Sequence, residues 1–476
     1  MLSDRDPSVA DYPRLPGVVD RVREFCGLTP GGTSRCLYLA GMGAAGGPYV
    51  TWRQVSMREP EALDELLAAG DDIARSLWDT GSLLVYVDLD YLNADSAGEA
   101  YLHPADCFLK LEPAYRGLCA VFDALGMPML DLVTGAGYGF VGRIPLAGRA
   151  VARLASLAHE VPPWHRTHAR RRPIWAAASI SENEAKAYQG LGLVLEHVAH
   201  RVLVRAAATS AIPIVMNNTE VGMGPTGREC ASIDLTHMGD PLDARHLRVA
   251  FGLYQKHRLR PDLTGAAAAR MAPLVVLPRS RRTLMDMLEQ GRGLRQAAMQ
   301  AARMRVAIPV VEEGALRMLD DYAASGLARW HREYYGVRPH PPEAWSETYG
   351  RFDPAGLPAC AAACLEYPND LLLRPGYVQL LVRILLARGW HARHIAGLVH
   401  AYYSRPDIWG DHWRSLDPET WADFQVRVFA GLVADGCDRG IDFNCVSTKE
   451  KRMCPGRGCG IDLRRERDRL LARGSS

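Results

Sequence analysis

The sequence predicts a mixed α/β (α+β) domain with a mixed sheet, followed by a mainly helical C-terminal domain. Three observations carry this. Between Leu83 and about Arg260, short apolar runs rich in β-branched and aromatic residues alternate with helical stretches. Next, "VRPHPPEAWSETYGRFDPAGLP" reads as a proline-studded boundary. Beyond it, apolar helical patterns lead into a glycine- and cysteine-rich end. A chain of 476 residues exceeds the roughly 250–300 at which single cores stop growing, so several domains are expected.

In chain order, residues 1–80 hold a turn-rich stretch and a helical pattern, "PEALDELLAAGDDIARSLW", and read as the N-terminal part of the module that follows. Residues 81–270 read as the mixed α/β domain, 271–350 as an arginine-rich helical connector, and 351–476 as the cysteine-rich helical domain. The net charge is only +2, and lysine is confined to positions 110, 186, 256, 449 and 451, so a lone arginine carries little weight. No apolar run approaches the roughly 20 residues of a membrane helix, and the N-terminus lacks the apolar core of a signal peptide. A cytoplasmic location without membrane contact is expected. In that reducing compartment, clustered cysteine points to metal rather than to disulfides.

The first chemical signal is "VYVDLDYLN", residues 85–93. Strand alternation sends Val85, Val87 and Leu89 to one face and Tyr86, Asp88 and Asp90 to the other. Carboxylates two residues apart on a strand can converge on the paired ions of phosphoryl transfer, and hard oxygen ligands suit Mg²⁺ or Mn²⁺. Set against this, aspartate is common where a strand runs into a solvated turn. Asp234, in the short strand of "ECASIDLTHMGDPL", supplies a third carboxylate.

"LDLVTGAGYGFVGRIP" reads as a hairpin closed by a glycine turn through Gly135 and Gly137, with Thr134 adding a hydroxyl beside a candidate phosphate site. "ARHLRVAFGLYQKHRLR" then gathers Arg245, Arg248, Lys256, His257 and Arg258 just after Asp234. By itself such a run is a solvated face; beside a metal site it can hold a triphosphate or a template backbone.

At the other end, Cys360 is followed much later by Cys445, Cys454 and Cys459. Four thiolates from a helical module hold an iron-sulfur cluster or a structural zinc, and the lack of short CxxC pairs disfavours zinc. Cys364 and Cys437 are alternative ligands, and buried reduced thiols are the bland reading.

Taken in order, these elements resemble the archaeo-eukaryotic primase superfamily, whose pattern is an hDhD strand, a histidine-bearing glycine hairpin, an h-Asp strand and a basic strand. Asp88 and Asp90 match the first motif, Asp234 the third, and Arg248, Lys256 and His257 fall in the basic segment. The hairpin departs: Gly139 stands where the family carries the histidine that helps bind nucleotide phosphates, and His237 or His257 is expected to fill that gap. The C-terminal segment is similar to the primase large-subunit domain, which implies a [4Fe-4S] cluster on Cys360, Cys445, Cys454 and Cys459, with Zn²⁺ as the alternative.

The resemblance implies a DNA primase or primase-polymerase that makes or extends a primer by two-metal catalysis. Asp88, Asp90 and Asp234 bind the ions, and Thr134, Gly135, Arg248, Lys256 and His257 contact the nucleotide. Its partners are single-stranded DNA template, nucleoside triphosphates and replication proteins. Trp390, Trp409, Trp413 and Trp421 are candidate base contacts. Gly139 favours a second reading, a catalytically impaired, nucleic-acid-binding accessory of replication or of a mobile element; a metal-dependent phosphohydrolase is more remote.

Overall fold

A computed structural model of the chain describes residues 7–28, 35–44, 57–166, 180–239, 246–280, 282–366, 372, 374–405, 417–456 and 458–474. The architecture is mixed α/β, built around the 12-residue strand Ser82–Asn93. This strand forms because Val, Leu and Tyr fill it with side chains that pack on a pleated surface, without glycine or proline to interrupt its ladder.

Its neighbours define the main, seven-stranded sheet. On one side lie Gly137–Pro145, then Leu130–Val133, then Leu277–Pro278; on the other lie Glu229–Asp234 and Ile214–Met216. Trp78–Asp79 pairs with its first residues. All pairings in this sheet are antiparallel except that of Ile214–Met216 with Glu229–Asp234. Residues 271–350, expected to be a connector, thus enter the sheet: Leu277–Pro278 is an edge strand, and Val310 forms a bridge with Arg143.

One face of the sheet is covered by the helix Pro104–Ala124. The register places Tyr138 opposite Leu89 and Phe140 opposite Val87. The Tyr138 ring meets Tyr115 of that helix at 4.4 Å, and its hydroxyl donates to Glu112 Oε1 at 2.8 Å. The helix Glu182–Ala206, opened by a capping box between Ser181 and Glu184, backs this layer. The opposite face carries Tyr86, Asp88 and Asp90.

A second, four-stranded antiparallel sheet runs His246–Arg248, Asp72–Ser76, Leu39–Met42, Met57–Arg58. It brings the N-terminal segment and the basic segment to one place. From Ala359 onward, every regular element among the described residues is a helix, ending with Leu463–Gly474. No described helix is long and apolar enough to cross a membrane.

One apolar core runs from Tyr12 to Leu470. Across it, the fully buried Glu196 accepts from Arg427 Nε at 3.0 Å and lies 3.3 Å from His331 Nε2, which ties Glu182–Ala206 to Pro418–Ala434.

Candidate functional site

The three aspartates share one face of the sheet, although among the described residues their carboxylates do not form a group within 4.8 Å of one another. In the strand register Asp88 stands directly opposite Asp234 on one side and Gly139 on the other, and Asp90 lies opposite Ser232 and Gly137. Directly opposed residues of an antiparallel pair have Cα atoms about 4.5–5.5 Å apart and side chains on the same face. Asp88 and Asp90 line a cavity of about 550 Å³. Asp234 joins Asp88 across the strand pair rather than lining the cavity itself, and its Oδ1 accepts from the Thr236 backbone N–H at 2.8 Å and hydroxyl at 2.6 Å. Two carboxylates from one strand and a third from its neighbour make an all-oxygen donor set, the chemistry that fits Mg²⁺ or Mn²⁺.

The glycines of the hairpin act through the space they leave. A side chain at Gly137 would run into the Leu89 carbonyl and the backbone of Asp90, so only glycine lets the two strands close beside the acids. A Cβ at Gly139 would sit 3.3 Å from the Tyr86 ring, whose hydroxyl reaches 3.5 Å from the same point. Tyr86 therefore occupies the space flanking Asp88. Thr134 lines the cavity, and its hydroxyl donates to the Gly137 carbonyl at 3.2 Å. Gly135 is placed differently from expectation: it lines a separate small crevice, and any Cβ there would strike the Tyr254 ring.

The second sheet and the turn after it supply the basic wall. Arg248 lines the cavity with its guanidinium 4.2 Å from the centre of the Tyr254 ring, and its Nε donates to Asp72 Oδ1 at 3.1 Å. Asp72, fully buried, also accepts from the Gln255 N–H at 2.9 Å, so one carboxylate aims the arginine and pins the turn leading to Lys256. Lys256, at the start of the short helix Lys256–Leu259, lines the same cavity. His257, the adjacent residue, does not: it is fully buried, stacked on Tyr101 at 5.0 Å, with Nε2 3.1 Å from the Ala272 carbonyl. His237 is equally buried against the Tyr86 ring, and burial pushes its pKa down to about 3. Neither expected histidine lines the cavity, because each sits on a short helical turn, Thr236–Met238 or Lys256–Leu259, that turns its ring into the core. Arg245 lies outside the described residues.

A histidine does line the cavity, and sequence reasoning passed over it. His246 opens the His246–Arg248 strand, with Nδ1 2.9 Å from the Tyr38 hydroxyl. Alternation with Arg248, two residues on, was the available signal. Arg374 was also missed. It precedes the helix Pro375–Ala387, reaches the cavity from the C-terminal side, and donates to Glu220 Oε1 at 2.9 Å.

The cysteines sort into two groups. Cys360, on the short helix Ala359–Leu365, has its thiol pushed up to about 12 by burial and then by the charges of Cys454, Cys459 and Cys445. The Cys445 and Cys459 sulfurs both lie 3.9 Å from the Ile461 carbonyl, and the Cys459 thiol is lowered by a hydrogen bond with the Ala359 backbone, next to Cys360. Tetrahedral zinc, with bonds of about 2.3 Å, needs sulfurs about 3.8 Å apart. Among the described residues no three of these thiols lie within 4.8 Å of one another, and four thiolates are a donor set that suits either zinc or an iron-sulfur cluster. Cys364 points instead at the Cys360 and Tyr377 carbonyls inside the helix packing. Cys437 lies with His200 and Asp435, a group whose ligand atoms fall within 4.8 Å and which can hold a metal ion.

The four-cysteine segment is tied to the cavity wall. Arg228 Nη1 donates to the Glu450 carbonyl at 2.9 Å, and the Met223 N–H donates to the Glu450 carboxylate at 2.9 Å. Thr219 and Glu220 of the same loop line the cavity. Of the expected base contacts, Trp421 is buried against Phe424, and Trp390 packs on Phe352; Trp409 and Trp413 lie outside the described residues. No family model, curated protein or solved structure matches the chain.

Proposed function

We propose that the chain is a primase-type, template-dependent nucleotidyltransferase that makes or extends a primer on single-stranded DNA. The observation that carries this reading is a cavity of about 550 Å³ lined by Asp88 and Asp90, with Asp234 directly across the strand pair from Asp88, and lined also by His246, Arg248, Lys256 and Arg374. Acidic and basic side chains lining one space of nucleotide size are what a triphosphate with its counterions requires.

In this reading Asp88, Asp90 and Asp234 hold two Mg²⁺ or Mn²⁺ ions, which when bound supply positive charge at the reacting phosphate and acidify the primer hydroxyl. Arg248, aimed by Asp72 and braced on Tyr254, and Lys256 bind the phosphate oxygens. His246 brings to the cavity the imidazole that the hairpin lacks at Gly139. Gly139 leaves room beside Asp88 that Tyr86 partly fills, so the nucleotide is flanked by a phenol. Cys360, Cys445, Cys454 and Cys459 hold a [4Fe-4S] cluster that cross-links the start of the C-terminal helices to the segment docked on the cavity loop.

Primer extension with labelled nucleotide on single-stranded template tests the reading. Asp88→Ala and Asp234→Asn are expected to lower Mg²⁺- or Mn²⁺-dependent incorporation on the order of a thousandfold without altering the melting curve. Gly139 favours the second reading, a nucleic-acid-binding accessory, and template binding with no incorporation by the wild-type chain would establish it. Absorbance near 400 nm from anaerobically purified protein checks the cluster; a colourless, zinc-bearing preparation would replace it with Zn²⁺.

A further inference from the structure

We infer that His200, Asp435 and Cys437 bind one zinc-class transition-metal ion, at a site independent of the aspartates and of the four clustered cysteines. The fold converges one residue from a helix and two from the turn that ends another. His200 lies on the buried side of Glu182–Ala206, 1% exposed, with Nδ1 2.9 Å from Asp435 Oδ2. Asp435 caps the C-terminus of Pro418–Ala434. Gly436, at φ +68°, reverses the chain there, a conformation glycine adopts without strain, and Cys437 returns alongside Asp435 with its thiol hydrogen-bonded to His200.

The turn is held rigidly from its far end. The Asp438 N–H donates to the Leu432 carbonyl at 2.8 Å, and Arg383 grips the Asp438 carboxylate at 2.7 and 2.8 Å. The three ligand atoms lie within 4.8 Å of one another, close enough for a single ion to draw them in.

The competing arrangement is a protonated His200 paired with Asp435: burial lowers the ring's pKa, but hydrogen bonds to Asp435 and Cys437 outweigh that and raise it to about 9, so a proton and a metal ion compete for this ring. His200 Nε2 is buried without a hydrogen-bond partner among the described residues. A cationic imidazolium would leave a charged Nε2–H unsatisfied in the core, the costlier case; a neutral ring, whether metal-bound or donating Nδ1–H to Asp435, leaves only an uncharged nitrogen there. The donor set decides the class of ion. One imidazole nitrogen, one carboxylate oxygen and one thiolate suit a borderline-soft ion such as Zn²⁺ or Co²⁺ and not Mg²⁺ or Ca²⁺. Three protein ligands leave a fourth tetrahedral position, the count found where an ion keeps an exchangeable ligand. His200 and Asp435 also line a cavity of about 280 Å³ with Arg201 and Arg205, so that ligand has a route in from solvent.

The test is metal stoichiometry on the full-length chain, purified anaerobically and dialysed against Zn²⁺ or Co²⁺ buffered at micromolar free concentration. Wild type is expected to retain one more equivalent than Cys437→Ser, Asp435→Asn and His200→Gln, and its Co²⁺ form to show a thiolate charge-transfer band that Cys437→Ser lacks. Iron content and 400 nm absorbance should be the same in all four proteins, which separates this site from the clustered cysteines. Zn²⁺ should raise the melting temperature of wild type and not of Cys437→Ser. Should His200→Gln fail to fold, the half-buried Cys437→Ser and exposed Asp435→Asn decide. Equal Zn²⁺ and Co²⁺ retention by wild type and these two variants overturns the site and leaves an ion pair only.

Discussion

Asp88, Asp90 and Asp234 were legible as residues because strand alternation is a local rule: once an apolar strand is recognised, the side of each carboxylate follows. His257 misled for the complementary reason. It sits in a charged run, yet a single helical turn carries it from the cavity wall into the stack on Tyr101, while Lys256 beside it stays on the wall. His246 is the residue-scale test of the nucleotide site. His246→Ala is expected to raise KM for the nucleoside triphosphate about tenfold while lowering kcat less, whereas Tyr38→Phe, which removes only the hydroxyl beside His246 Nδ1, should change KM little. Steady-state incorporation kinetics separate the two. Gly135→Ala makes a second test at this scale. Its methyl group would collide with Tyr254, the ring that braces Arg248, so a stability loss of about 1–3 kcal/mol with weaker nucleotide binding is expected in thermal melts and equilibrium binding.

Among the elements, the hairpin and the Ser82–Asn93 strand were readable from composition, but the arginine-rich segment after residue 278 was not. It was expected to be a helical connector. Instead Arg279 is buried, donating to Glu112 Oε1 at 2.7 Å and Oε2 at 3.0 Å, with its guanidinium 3.7 Å from the centre of the Tyr115 ring. Arg282 bonds to Gln290 and Gln300. An arginine's destination depends on what other segments bring to it, and Glu112 is 167 residues away in sequence. Removing one partner of a buried pair leaves the other charge stranded, so Arg279→Met should cost about 3–5 kcal/mol. The double variant Glu112→Met/Arg279→Met should recover most of that loss, since well-packed apolar groups replace buried ion pairs at little net cost. Urea unfolding of the two singles and the double measures the coupling.

For the molecule as a whole, the fully buried Glu196 joins the sheet-backing helix to the C-terminal helices. Burial alone would raise its pKa; Arg427, and then His331, outweigh that and hold it at about 2, against an ordinary value of 4.5. A folded pKa below the unfolded one means that the carboxylate's contribution is complete above about pH 4.5 and is lost as pH falls towards 2. A shift of this size corresponds to about 3 kcal/mol. Wild-type urea midpoints should therefore fall steeply between pH 5 and pH 2, by roughly that amount of stability more than in Glu196→Gln, which is expected to start less stable and titrate less.

Periodicity and composition were sufficient for the α/β character of the first part, the helical run of the last, and the side on which the acids of "VYVDLDYLN" emerge, because each depends on neighbours within a few residues. Composition also drew attention to the six cysteines between Cys360 and Cys459, but the choice of Cys360, Cys445, Cys454 and Cys459 over Cys364 and Cys437 came from the family resemblance. Three-dimensional packing alone decided that Asp234 faces Asp88, that His246 and Arg374 reach the cavity while His257 and His237 turn inward, and that Cys437 joins His200. Those outcomes rest on pairings between strands and helices as many as 235 residues apart, as between His200 and Asp435, whose register is chosen by burial of the whole apolar core and not by any local stretch of chain.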